Sequence, residues 1–321
     1  VVAAPGTAEG LPLDIPLLRD VDNDPGYYAA VKLGTTTSAR WFESNDNVLY
    51  GSVGSYASSA TFGTVTAKAG SFPALNLWDE GSSITVDVGD GTLASATRAA
   101  LLEDRALNSF AVGVAGRYCL GQFRTATLVS TGVYTLTGLL MGQKGPEQYA
   151  DNIAISDNFA LLTATGMQRL VRTTSQLGRA FYWKVVPYGQ TSSAVIGEVF
   201  FNDGIALRPL APVKLRAARD AATGDITLSW TRRTRFDTRF GGDLGDACPL
   251  GEASEQYQVR IYTSSSYATV MRGLGIVATN SVAYSSADQI ADFGSNQSTV
   301  YVSVDQISDV VGHGYQLQAS A

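Results

Sequence analysis

From Phe123 the run FRTATLVSTGVYTLTGLLMG alternates apolar with polar positions, is rich in β-branched and aromatic residues, and breaks at Ser130, Thr131 and Gly132. That pattern predicts two strands joined by a tight polar turn. Val133, Leu136 and Leu139 depart from a strict period of two, which predicts a bulge near Gly138. Short stretches of the same kind recur over 27–33, 39–43, 48–52, 60–67, 84–88, 109–115, 117–128, 133–140, 158–162 and 181–188, most bounded by Gly, Asn, Asp or Ser. Together they predict an all-β chain. Two segments have helical content: 93–107 (LASATRAALLEDRAL), which also suits a loop crossing between sheets, and a short turn near 168–176.

Punctuation along the chain divides it. Residues 1–26, rich in Pro, Gly and Asp, are expected to be an extended lead-in arm whose Leu11, Leu13, Ile15, Leu17 and Leu18 dock on a neighbouring surface. Residues 27–208 form a β-rich sandwich-type domain, or two split near 107, and the two prolines of LRPLAP open a further domain over 209–321. There, ITLSWT sets Ile226, Leu228 and Trp230 on one face, while Tyr257, Val259 and Ile261, then Val300, Val302 and Val304, repeat the alternation. A strand-borne Trp facing such a strand, with Pro at the start of the domain, resembles a fibronectin type III-like sandwich. The departure from that pattern is the insertion 235–255, expected to protrude as a loop.

Composition narrows the function. Charged residues make up 16% of the chain, against about 25% in an average soluble protein. Lys and Arg number 23 against 29 acids, a formal charge of −6, so nothing suggests a chain built to hold nucleic acid. No stretch of about 18 apolar residues exists, and no membrane-spanning helix is expected. Cys119 and Cys248 lie far apart and read as two separate thiols. The start VVAAPGTAEG lacks the pattern of a signal peptide and does not begin with Met, so a processed product or part of a longer polypeptide is expected.

Candidate chemistry is sparse. Residues 132–148, GVYTLTGLLMGQKGPEQ, approach the phosphate-binding G-x-x-x-x-G-K-[ST] loop without completing it. Gly138 and Gly142 stand one residue too close, Gln143 separates Gly142 from Lys144, and Gly145 takes the place of the hydroxyl, so a strand running into a turn is expected. His313 is the only histidine, between two glycines, and reads as a turn residue; no G-x-S-x-G elbow accompanies it. One His and two scattered Cys make no zinc shell, and neither a metal nor another cofactor is expected. Asp20, Asp22 and Asp24 begin like a calcium loop, but Pro25 replaces its glycine and Val31 its bidentate Glu, and an acidic turn fits as well. For a glycosidase pair the first domain offers Asp79, Glu80, Asp87, Asp90, Glu103, Asp104, Glu147 and Asp151, with nothing to select two of them. Trp41, Trp78 and Trp183, where exposed, would stack on sugar rings; core packing is the competing fate.

The strings LPLDIPLLRDVDNDPGYYAAV, ALNSFAVGVAGRYCLGQFRTATLVSTGVYTLTGLLMGQKGPEQY, LGRAFYWKVVPYGQT and PVKLRAARDAATGDITLSWTRRTRF, in this order, resemble the C-terminal part of tail-tip, or baseplate hub, proteins of siphovirus-like phages and gene transfer agents. The family's Leu-Arg-Gly-x-x-Gly-Thr-Glu motif stands here as 140–147, with its Arg and Thr replaced by Met141 and Pro146. The resemblance implies a non-enzymatic virion component at the tail tip, a homo-oligomer, as a trimer, alongside other tail-tip proteins, touching a host-surface receptor or glycan. Recognition is then expected on loops of the last domain, 235–255, 268–275 and 292–298, through Arg235, Asp237, Arg239, Asp243, Asp246, Arg272 and Asn296. The alternative is a virion-associated glycan-binding or glycan-hydrolysing module using paired carboxylates.

Overall fold

Strands dominate the computed structural model, which describes residues 6–72, 77–236 and 248–321. The chain divides into two units, Val1–Ala206 and Leu207–Ala321. Strands of the first are β1 (Ala8–Leu13), β2 (Tyr27–Leu33), β3 (Ala39–Ser44), β4 (Gly51–Tyr56), β5 (Phe62–Ala69), β6 (Trp78–Asp79), β7 (Ser83–Asp87), β8 (Ser109–Gly113), β9 (Cys119–Ser130), β10 (Val133–Met141), β11 (Asn158–Leu161), β12 (Met167–Leu170), β13 (Ala180–Pro187) and β14 (Glu198–Phe201). The expected helical segment contains only α1 (Arg98–Glu103), capped by the Thr97 hydroxyl, which accepts from Ala100 N at 3.1 Å. The 48–52 stretch is displaced: the strand there is β4, because Asp46 accepts the amides of Val48 and Leu49 and holds them in a turn.

Strands β10, β7, β5, β11, β8 and β9 pair in that order, and β9 pairs back onto β10. Every pairing is antiparallel, so the ring is a closed six-stranded barrel, with β6 added at one end of β10. Its core includes Val65, Ile84, Val86, Phe110, Val112, Cys119, Phe123, Leu136 and Phe159, all essentially inaccessible. Each such large side chain contributes roughly 1.5–3 kcal/mol by leaving water. Within the β9–β10 hairpin the register slips between Val133 and Tyr134, next to the turn, and is kept across Gly138. The irregularity expected at Gly138 is a change of phase instead. With φ at +62°, Gly138 switches the core-facing positions from Tyr134 and Leu136 to Leu139 and Met141. An added Cβ there would also stand 2.9 Å from the Arg124 Cβ.

Outside the barrel, β1, β2 and β12 form one sheet and β14, β13, β3 and β4 another. The YYAAVKL strand β2 is buried on both sides, which explains its near-continuous apolar run. Tyr28 and Ala30 pack with barrel residues such as Phe62, Ala111 and Leu120, while Tyr27, Ala29 and Val31 pack against the four-stranded sheet. Residues 8–18, within the expected lead-in arm, form β1 and the turn after it, and Leu13, Ile15 and Leu17 are buried in this unit's own core. Trp41 and Trp183 are likewise core residues, stacked at 4.5 Å, so neither offers a face to a sugar.

The second unit is a sandwich of three strands, β15 (Val213–Arg219), β16 (Ile226–Thr231) and β19 (Ser281–Tyr284), and four, β18 (Val270–Val277), β17 (Tyr257–Tyr262), β20 (Tyr301–Ser308) and β21 (Gly312–Ser320). Trp230 packs edge-on against Tyr257 at 5.2 Å, among Leu228, Val259, Ile261, Val302 and Val304. This is the fibronectin type III-like arrangement. A helix the alternation did not signal, α2 (Ser286–Phe293), leads into β20; Ser285 caps its start and Gly294, at φ +79°, ends it. Most of the loop expected over 268–275 is strand β18.

Candidate functional site

Alternation along β3 sends Trp41 inward and leaves Arg40 and Phe42 on the outer face of the four-stranded sheet. Pairing sets Arg40 between Val186 of β13 and Ser55 of β4, and Phe42 beside Lys184. After β13 the chain turns back over this face. Tyr188 N donates to Ser38 O at 2.9 Å and Gln190 N to Pro187 O at 3.1 Å. The Lys184 ammonium, nearly buried, donates to the carbonyls of Ser192 (2.7 Å) and Val195 (3.3 Å) and lies 3.6 Å from the centre of the Tyr50 ring. Burial lowers its pKa, and the two carbonyls with the aromatic face keep it satisfied.

Between this loop and the sheet lies an open cavity of about 560 Å³. Arg40, Phe42, Ser55, Val186, Tyr188 and Gln190 contribute to its lining, which contains no acidic residue among the described residues. Tyr188 stands 76% exposed, and Val199 and Phe201 are half-exposed on the same outer face. Arg40 is exposed and, among the described residues, makes no hydrogen bond or ion pair. By contrast Arg19, Arg117, Arg124, Arg169 and Arg172 of the same unit are each paired with an Asp or Glu.

Of the acidic candidates, Asp79, Glu80, Asp87, Asp104 and Asp151 are engaged elsewhere. Asp79 accepts the amides of Gly81 (2.8 Å) and Ser82 (3.0 Å), Asp87 that of Gly89 (2.9 Å) and Asp104 that of Ala106 (2.8 Å). Glu80 binds Arg124 at 2.8 Å and Asp151 binds Lys68 at 2.8 Å; the Lys68 ammonium and the Phe72 amide hold Asp151 below the usual carboxylate range. In the acidic turn, Arg19 and Tyr28 hydrogen-bond Asp22, and Arg169 takes Asp24. Among the described residues no group of three His, Cys, Asp or Glu is placed to hold a metal. Lys144 of the loop-like motif donates to Leu18 O at 3.4 Å, and burial pulls its ammonium down. It braces the turn in which Gly142 and Gly145 take positive φ.

Of the recognition residues expected in the last domain, Asp237, Arg239, Asp243 and Asp246 lie outside the described residues. Arg235 pairs with Glu252, and Arg272 with Asp292 (2.6 Å) and Asp288 (3.0 Å), so both guanidinium groups serve the sandwich itself. Asn296 is exposed and accepts from the Ser286 hydroxyl at 2.8 Å. His313 lies in β21 rather than in a turn, its Nδ1 2.6 Å from Asp305 Oδ2. Both cysteines are free, and burial inside the barrel pushes the Cys119 thiol up to about 12. The outer-face groove escaped the sequence reading, since its residues come from three separated segments. The one available signal was Arg40, a charge directly before two aromatics in RWF.

Residues 60–160 match the family model described as Rcc01698-like, C-terminal. This segment coincides with the barrel, from the start of β5 to the end of β11. No curated protein matches the chain.

Proposed function

We propose that this chain is a non-enzymatic structural component of the tail tip of a phage or phage-like particle, the C-terminal part of its hub protein, contributing to tip assembly and host-surface attachment. The observation that carries this reading is the coincidence of the closed barrel with the segment matched by the Rcc01698-like model. The resemblance of the flanking strings to gene transfer agent hubs extends it to the rest of the chain. A barrel without free edges suits a part that packs beside copies of itself without uncontrolled strand pairing. Assembly as a trimer around the tail axis, with other tip proteins, belongs to the same proposal.

The alternative, a glycan-binding or glycan-hydrolysing module of the same particle, draws its binding half from the outer-face groove. Its hydrolytic half needs two facing carboxyl groups, whereas Asp79, Glu80, Asp87, Asp104 and Asp151 are committed to turns and ion pairs. Gold-labelled antibody against the chain, imaged on purified particles, is expected to mark the tail tip. Incubation with envelope polysaccharide is expected to release no reducing ends. Label absent from the particle overturns the structural reading, and released reducing ends overturn its non-enzymatic part.

A further inference from the structure

We infer that the groove on the outer face of the β14–β13–β3–β4 sheet binds an anionic sugar unit, a hexose-type ring carrying a carboxylate or a phosphate. The inference rests on the host-attachment reading for its biological setting and on the groove alone for its chemistry. Its volume, about 560 Å³, falls in the range of small-ligand sites. Phe42 lies in its floor and Tyr188 at its rim, and an aromatic face takes the C–H face of a sugar ring. Ser55 and Gln190 add neutral donors and acceptors suited to ring hydroxyls.

Arg40 decides the charge of the ligand. A guanidinium presents a rigid fork that holds a carboxylate or phosphate through two parallel N–H···O bonds. Among the described residues Arg40 has no acidic partner, in a unit whose other arginines are mostly paired, and no acid lines the cavity to repel an anion. In a chain of net charge −6 a general attraction for anions is absent, so binding must be local to this group. The site is also built before a ligand arrives. Its floor spans three paired strands, and Lys184 ties down the loop that forms its wall.

Three probes test it by NMR titration of the whole chain: a glucuronic-acid oligosaccharide, glucose 6-phosphate, and a neutral gluco-oligosaccharide of matching ring count. The anionic probes are expected to shift amide signals within 38–57 and 186–192, and the neutral probe to bind about tenfold more weakly or worse. Whichever anionic probe binds tighter identifies the source, carboxylate or phosphate. Arg40→Ala, at an exposed position, is expected to keep the fold and lose about tenfold in affinity, and Tyr188→Ala severalfold, with Arg40→Lys in between. Equal binding of neutral and anionic probes, wild-type affinity in Arg40→Ala, or no shift at about 10 mM of any probe overturns the proposal. Failure here with label at the tail tip leaves the structural reading standing, and binding here with no label on the particle does the reverse.

Discussion

In the first unit β10 pairs with β9 on one side and β7 on the other, so the barrel's backbone ladder has no end. In the second unit the sheets stop at β15, β19, β18 and β21. Edges of that kind invite pairing with other chains, and the sandwich blunts them. Strand β15 carries Lys214, Arg216 and Arg219, and the β17–β18 pairing slips register twice. Closure thus relieves the barrel of edge-guarding charge, whereas the sandwich must spend side chains on it.

Buried carboxylates show the same contrast. Asp14, after β1, is 4% exposed and accepts the amides of Asp203 (2.7 Å) and Ile205 (2.9 Å). Asp305, on β20, is fully inaccessible and binds Arg260 (2.8 Å), His313 (2.6 Å) and Gln316 (3.4 Å). Backbone amides orient a carboxylate without cancelling its charge. Burial therefore outweighs them at Asp14 and pushes it up to about 7.

The largest expected effect tests the barrel's reliance on its core alone. Phe159→Ala, which empties the space beside Phe110, should cost about 3–5 kcal/mol in urea unfolding followed by tryptophan fluorescence. A loss under about 1 kcal/mol would show that other layers carry this unit.

The second test is pH. With its pKa raised from 3.8 to about 7, Asp14 contributes stability that is full below pH 3.8 and lost as pH rises through about 7. Asp14→Asn, which has no charge to lose, should therefore gain on the wild type by roughly 2–4 kcal/mol between pH 5 and 8. A pH-independent difference between the two proteins would show that burial does not raise Asp14.

Asp305→Ala sharpens that contrast from the other side. It strips Arg260 and His313 of their partner and should cost about 2–3 kcal/mol, less than a fully buried pair because both partners reach solvent. Thermal unfolding of the variant across pH 6–8 reads it. The smallest effect is at the phase change in β10: Gly138→Ala should cost about 1–2 kcal/mol, since a Cβ meets both an unfavourable φ and the Arg124 side chain. An unchanged denaturation midpoint would mean that β10 keeps its course without a glycine there.

Local chemistry made much of this legible. Alternating positions placed β3, β7, β10, β11 and β13 to within a residue or two, because a strand half-covered by its neighbours must alternate. The Ser130–Gly132 turn and the strand carrying Ile226, Leu228 and Trp230 were readable for the same reason. Other features were masked by context. Trp41 and Trp183 carry no mark in sequence that separates a core stack from a binding platform, and α2 is too short to develop a helical period against its flanking strands.

What the sequence determined by itself is the class of the chain: all-β, sparingly charged, with a fibronectin type III-like last unit. Tertiary structure alone decided that β5 and β11 meet to complete a barrel, and that Arg40, Ser55, Val186 and Tyr188 share a groove. Both depend on which strands lie side by side across long loops. That choice is settled by summed burial over the whole sheet, to which no short stretch of residues contributes a decisive signal.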